Sequence, residues 1–423
     1  MIKTDSMAMI SGLQIISARK IDMQNMMEQN LLFASIASGG DTAWAIGVNT
    51  NGLFQLSWED GEYELLTCFP DGNGFFAYVI SDKCHKYKNN IFCFPCRGDM
   101  IWVYDLSNRK LDKIPIEYGK GREIGISMVV EDSDILFAVA NGLNMILEID
   151  AEKKTVLNNF EIISGENQIN TSVAGVVVNK KWYFIVTDKN RVCEFDLKTK
   201  NIHLYSIEKD KGINTISYDG KFFWLSGKTK EIFRWNKDND EIYVVSDFPT
   251  DFGRYEVDEK DNFFICYKEK YSQPIFRNSI CMGNAIWFIP HETNQIIYID
   301  KDTCKLNSFL IEEEEENDST WQRESKTKYR LEYIQKDQYI FLYSYKNKCY
   351  LKIDTVKFTI DYINLQMTER SMHALIDRVF EVQDIFYENR TQMQLADFIK
   401  SSFSRNKVGN STNNGKAIYQ FIS

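Results

Sequence analysis

Short apolar runs alternate with polar turns along the chain, and the runs recur in a fixed frame. The clearest copy lies between Trp287 and Asp300, with an aromatic at one end, an Asp thirteen residues later and two apolar runs between them. With that Asp as anchor, the equivalent positions are Ser57, Asp105, Asp150, Asp196, Asn236, Asp300 and Asp354. Thirteen residues earlier stand Trp44, Phe92, Phe137, Tyr183, Phe223, Trp287 and Phe341. The residue before each anchor is Leu56, Tyr104, Ile149, Phe195, Trp235, Ile299 or Ile353. A turn column six before the anchor reads Asn51, Asp99, Asn144, Asn190, Lys230, Asn294 and Lys348. Apolar residues return six after it, from Tyr63 and Leu111 to Ile360.

These columns predict strands. The run around the aromatic is apolar on consecutive residues, as in Trp182-Tyr183-Phe184-Ile185-Val186, which reads as a strand buried on both faces. A polar turn follows. The next strand ends on the anchor and is polar two residues before it in most copies. The anchor Asp is expected to hydrogen-bond its own backbone and open a turn. A further strand begins six residues on, and a more variable one precedes the aromatic, as at 126–130 and 215–218. Each copy is therefore a four-stranded antiparallel meander. Successive anchors stand roughly 40–50 residues apart, with two wider intervals, which is the period of a propeller blade. A lone sheet of this kind cannot bury both faces, whereas a ring of such sheets can.

Over residues 31–365 the repeats resemble the β-propeller superfamily, of WD40-like and Kelch-like architecture. The specific signatures are missing. No Gly-His…Trp-Asp pairing occurs, and a Gly-Gly doublet stands only at Gly39-Gly40. The resemblance implies an all-β fold of seven blades, with six or eight as alternatives, and no particular activity. Residues 1–30 precede the first blade and are expected to be an N-terminal arm or a ring-closing strand. Residues 366–423 read as a small α-helical C-terminal extension. Leu375, Val379, Val382 and Phe386 recur there at helical spacing, and Leu395, Phe398 and Ile399 suggest a second helix.

Composition narrows the function classes. The 423 residues are 44% hydrophobic and carry a formal charge of −10, a soluble globular balance that argues against nucleic acid or an anionic membrane as partner. No apolar run is long enough to predict a transmembrane helix. Nine scattered cysteines do not read as a disulfide framework, no signal peptide is evident, and a cytoplasmic location is expected.

Candidate chemistry is sparse. The repeated Asp residues read as turn formers. Cys93 and Cys96 form a C-x-x-C, but no second ligand pair has matching spacing and Cys93 falls in an apolar column, so no metal is expected. The four histidines form no metal or triad pattern, and no phosphate-binding glycine motif is present, so no cofactor is expected. What the frame does not absorb is two insertions. One, at 250–277, carries Arg254, Tyr255 and Tyr271; the other, at 312–328, carries Trp321 and Arg323. Both connect the last strand of one blade to the first of the next. Topology puts such connectors on the same rim as the turn holding His291 and Glu292, which belong to no repeated column. These seven residues are the candidate binding surface. The expected role is a non-catalytic binding or scaffolding module for a protein or peptide. The competing reading is a propeller enzyme acting on a sugar, glycan or peptide at the central channel.

Overall fold

The computed structural model describes residues 33–40, 42–47, 50–58, 60–70, 81–96, 98–117, 124–207, 212–249, 252, 275–291, 293, 295–311, 329–344, 347 and 349–375. Seven antiparallel sheets, each built from four consecutive strands, span 33–68, 81–115, 126–161, 171–206, 215–245, 276–310 and 329–364. They are blades 1 to 7. The first strands of successive blades are neighbours around the axis, and the ring closes where the first strand of blade 7 (Tyr329–Lys336) meets that of blade 1 (Phe33–Gly39). Seven blades is the expected count.

The aromatic column lies on the second strand of each blade, as at Thr42–Gly47 and Ala285–Pro290. That strand is buried from both sides, so consecutive residues are apolar. Its side chains enter seven separate apolar clusters, one in each gap between neighbouring blades. Trp287, for example, packs between blades 6 and 7, and Trp182 between blades 3 and 4. Lateral packing of blades thus replaces the second sheet of a sandwich.

The anchor column behaves as the turn chemistry requires. Asp300 accepts hydrogen bonds from the Asp302 amide at 3.1 Å and the Thr303 amide at 2.8 Å, and Asp196 does the same with Lys198 and Thr199. Four residues after every anchor the backbone enters the left-handed region. Those residues are Gly61, Arg109, Lys154, Lys200, Asp240, Cys304 and Phe358, with φ between 53° and 74°. The amide there returns to the anchor carbonyl, as from Arg109 to Asp105 at 2.8 Å. Only blade 1 uses the glycine that this conformation favours.

The first strand of six blades carries an irregularity near its start, for instance between Phe33 and Ile36 or Thr171 and Gly175. Bulges bend and twist a strand, which suits a strand set against the axis. The first strand of blade 4 comes within 8 Å, Cα to Cα, of the first strands of blades 6 and 7, so the central channel is narrow at that level.

Blade 1 has a fifth strand. Gln366–Met367 lies parallel to its outer strand (Glu62–Cys68), in register with Glu62 and Tyr63. A helix follows from 369 to 375. Thr368 caps it: its Oγ1 accepts from the Ser371 amide, and the Met372 amide donates to its carbonyl. Met372 and Leu375 insert into the apolar cluster between blades 7 and 1, and the Leu65 amide donates to Ser371 Oγ at 2.8 Å. The extension therefore begins with an edge strand and then a helix, and together they clamp the closing seam. Residues 1–30, Val379, Val382 and Phe386 of the expected first helix, and the expected second helix lie outside the described residues.

Candidate functional site

The turn between second and third strands and the connector to the next blade share one end of each blade, here the upper face. The asparagines six before the anchor sit in that turn for a backbone reason. Asn51, Asn144 and Asn190 have φ between 45° and 52°, a conformation that asparagine tolerates better than other side chains with a Cβ. Their carbonyls accept from the first residue of the connector: Phe69 at 2.9 Å, Ile162 at 3.0 Å and Ile207 at 3.1 Å. Asn144 adds its side chain, which donates to the Ile163 and Glu166 carbonyls, each at 2.7 Å, and accepts from the Ile163 amide. Each of these connectors is thus fastened to the turn beside it.

The turn is also fastened to the segment that enters its own blade: the Asn141 amide donates to the Gly125 carbonyl at 3.0 Å and the Thr187 amide to that of Asn170 at 2.8 Å, and blade 6 follows that form. The His291 amide donates to the Ile275 carbonyl at 2.9 Å, and Ile275 is where the first insertion re-enters the blade. His291 is only 3% exposed. Residues Ile311 and Tyr329, at the two ends of the second insertion, share a cluster with Ile289 and Ile296 on either side of the His291 turn. The structure therefore sets His291 between the roots of the two insertions. Phe252 anchors the first of them, stacking on Phe276 at 5.6 Å and packing between blades 5 and 6. Glu292, Arg254, Tyr255, Tyr271, Trp321 and Arg323 lie outside the described residues.

Exposed large apolar side chains mark one sector. Tyr243 and Val244 lie on the outer strand of blade 5, Leu310 on that of blade 6, and Val356, Phe358 and Tyr362 on blade 7. Among the described residues of blades 1 to 4 only Leu157 and Val177 are comparable. The two insertions leave from the outer strands of blades 5 and 6, directly after these residues.

At the upper end of the axis two pairs of hydroxyls satisfy one another. Ser127 Oγ and Thr171 Oγ1 are 2.8 Å apart, and Thr171 donates onward to Asn141 Oδ1 at 2.7 Å. Thr215 and Ser226 pair at 2.7 Å. Among the described residues no three His, Cys, Asp or Glu side chains converge as metal ligands. One acid–base pair spans first strands: His85 Nε2 lies 2.9 Å from Glu131 Oε2, between blades 2 and 3.

Two charged tethers between blades escaped the sequence reading, although the polar column two before the anchor was their signal. In blade 3, Glu148 pairs with Lys200 of blade 4 at 3.0 Å, and that ammonium lies 4.0 Å from the Phe137 ring centre. In blade 4, Glu194 pairs with Lys181 and with Lys237 of blade 5, and accepts from Tyr183 at 2.9 Å and Tyr205 at 2.8 Å. Burial alone would raise the Glu194 carboxyl. Lys181, the two hydroxyls and Lys237 outweigh it and hold the group at about 2. The same contacts and burial push both tyrosines well above their ordinary value.

No family model and no curated protein sequence matches the chain. Its fold is similar to solved propellers of different kinds. A virginiamycin B lyase from Staphylococcus aureus is 9% identical with a TM-score of 0.55, over 75% of this chain and 93% of the lyase. A streptogramin B lyase is 13% identical with a TM-score of 0.52, over 75% and 91%. A chain of a mitotic checkpoint complex is 9% identical with a TM-score of 0.52, over 75% and 87%. At such identities the likeness shows the seven-bladed β-propeller fold and nothing about activity.

Proposed function

We propose that the protein is a non-catalytic β-propeller module that binds a protein or peptide partner through the sector of blades 5 to 7. The observation that carries this reading is that exposed Tyr243, Val244 and Leu310 lie on the outer strands of blades 5 and 6, from which the two insertions leave, with exposed Tyr362 on that of blade 7. Contiguous exposed apolar side chains mark interaction surfaces, and sheet edges offer unpaired backbone groups to a partner chain. The checkpoint-complex match supplies an example of this fold inside a protein assembly. Deleting 312–328, or changing Tyr243→Ser with Leu310→Ser, should abolish partner capture while the melting temperature holds. Unchanged capture by both variants would sink the proposal.

The enzyme reading has one observation of its own, the His85–Glu131 pair beside the axis. A histidine held by a carboxylate is the usual form of a general base, and two structural neighbours are lyases by name. If that reading is correct, His85→Asn removes turnover of a glycan or peptide substrate without changing partner capture. Full turnover in that variant would exclude the pair as the catalytic base.

A further inference from the structure

We propose that the seam between blades 7 and 1 holds a binding site for a small planar carboxylate, such as an aromatic acid. A cavity of about 520 Å³ opens there on the lower face, lined among others by Trp58 and Thr42 of blade 1 and Lys336, Tyr339, Phe341 and Lys352 of blade 7. Its aromatic wall is built: Trp58 lies 4.8 Å from the Phe341 ring and 5.2 Å from Tyr350.

Comparison between blades shows what is missing. Lys352 stands two before its anchor, the position of Glu148 in blade 3 and Glu194 in blade 4. Those residues face the next blade and meet a lysine from its third-to-fourth-strand turn. At the closing seam the charge is inverted. Lys352 faces blade 1, and the residue equivalent to Lys237 is Trp58, each standing one after its anchor. Instead of a carboxylate, the Lys352 ammonium has the Tyr339 ring, 4.3 Å from its centre. Among the described residues no carboxylate lies within ion-pair distance of it. Asp337 also lines the cavity and forms no ion pair with Lys352.

Trp58 supplies a second unmet demand. Its side chain is mostly buried, the residue being 8% exposed, and its indole Nε1–H has no acceptor among the described residues. An orphaned donor of this kind costs free energy that a ligand acceptor recovers. A carboxylate answers both groups, giving the ammonium its counter-charge and the seam an acceptor. A flat apolar body suits the Trp58–Phe341–Tyr339 wall. A phosphate is a poorer fit, because so much of the lining is aromatic. This site lies on the opposite face from the insertions and does not depend on the partner-binding reading.

The test is calorimetric titration of the full chain with benzoate, phenylacetate and indole-3-acetate, with the corresponding amides as neutral controls. At least one acid should bind saturably at one site per chain, and its amide should not. Lys352→Met, which keeps an apolar stem, should weaken binding by about ten- to a hundredfold, the loss expected for a charged hydrogen bond. Trp58→Phe keeps an aromatic wall and should weaken it severalfold. Matched thermal melts of each variant without ligand show whether the seam itself is intact. Absence of saturable binding by all three acids overturns the proposal, as does an unchanged Kd in Lys352→Met with an intact melt.

Discussion

The Glu194 tether makes the most quantitative prediction. Glu194→Gln keeps the size and a hydrogen-bonding end but removes the charge that Lys181 and Lys237 face. A carboxyl held at about 2, against an ordinary value of 4.5, binds its proton less readily when folded than when unfolded. The sign follows: the stabilisation is complete above 4.5 and is lost as pH falls from there towards 2. Converted directly, that displacement is roughly 3 kcal/mol at neutral pH. The two lysines are 37% and 27% exposed at the side chain, so solvent screening reduces the useful part to about 1–2 kcal/mol. Urea unfolding of wild type and Glu194→Gln at pH 7 should differ by that amount. At pH 3 the difference should shrink to less than half, because the carboxyl is by then almost wholly protonated in the unfolded chain while still mostly charged in the folded one. An equal difference at both pH values would mean that the mutation acts through packing. No difference at pH 7 would mean that the tether contributes nothing.

Other consequences are simpler to read. Arg109 is exposed and held at φ 57°, so Arg109→Gly should stabilise the ring by about 1 kcal/mol, visible as a melting point higher by roughly 1–2 °C. Asn144 is 1% exposed and makes three side-chain hydrogen bonds to its connector. Asn144→Ala should cost about 2–4 kcal/mol by urea denaturation, and Asn144→Gly somewhat less because glycine accepts the backbone angle. Leu375→Ala should cost about 2–5 kcal/mol, with hydrogen exchange rising first along the outer strand of blade 1.

Much of this fold can be read from the chain because a propeller repeats one local problem seven times. Each second strand needs an aromatic and consecutive apolar neighbours, so Trp44, Phe137 and Trp287 announce themselves. Each third-to-fourth-strand turn needs an acceptor at the anchor, so the Asp column reads as turn chemistry and proves to be that. Less legible were features that depend on neighbouring blades. Glu194 looks like any polar strand residue until Lys237, more than forty residues away, is seen to meet it. The strand Gln366–Met367 pairs with a partner some three hundred residues earlier in the chain, and two residues carry no periodicity to detect. The rim was legible only as topology. Connector topology puts His291 between the two insertions, and the His291–Ile275 hydrogen bond has the same form as the Asn141–Gly125 and Thr187–Asn170 bonds of blades 3 and 4.

A buried histidine whose backbone repeats the fastening of other blades has a structural part to play, and the distinctive chemistry shifts to places where the repeat is broken. The closing seam is such a place. Blades 3 and 4 tie to their neighbours with a carboxylate and a lysine, whereas blade 7 presents a lysine to a tryptophan and is held instead by the helix carrying Met372 and Leu375. Trp58, Phe341 and Leu375 belong to one cluster, so a ligand in the seam and the helical clamp act on the same contacts. A ligand at a hundred times its Kd stabilises the folded state by about 2.7 kcal/mol. Because residues in contact do not contribute independently, the ligand and Leu375→Ala should not add. An aromatic acid that restores the melting of Leu375→Ala by more than it raises the wild type would show that the clamp and the cavity stabilise one closure. Equal shifts in both proteins would show that the helix and the site are energetically separate.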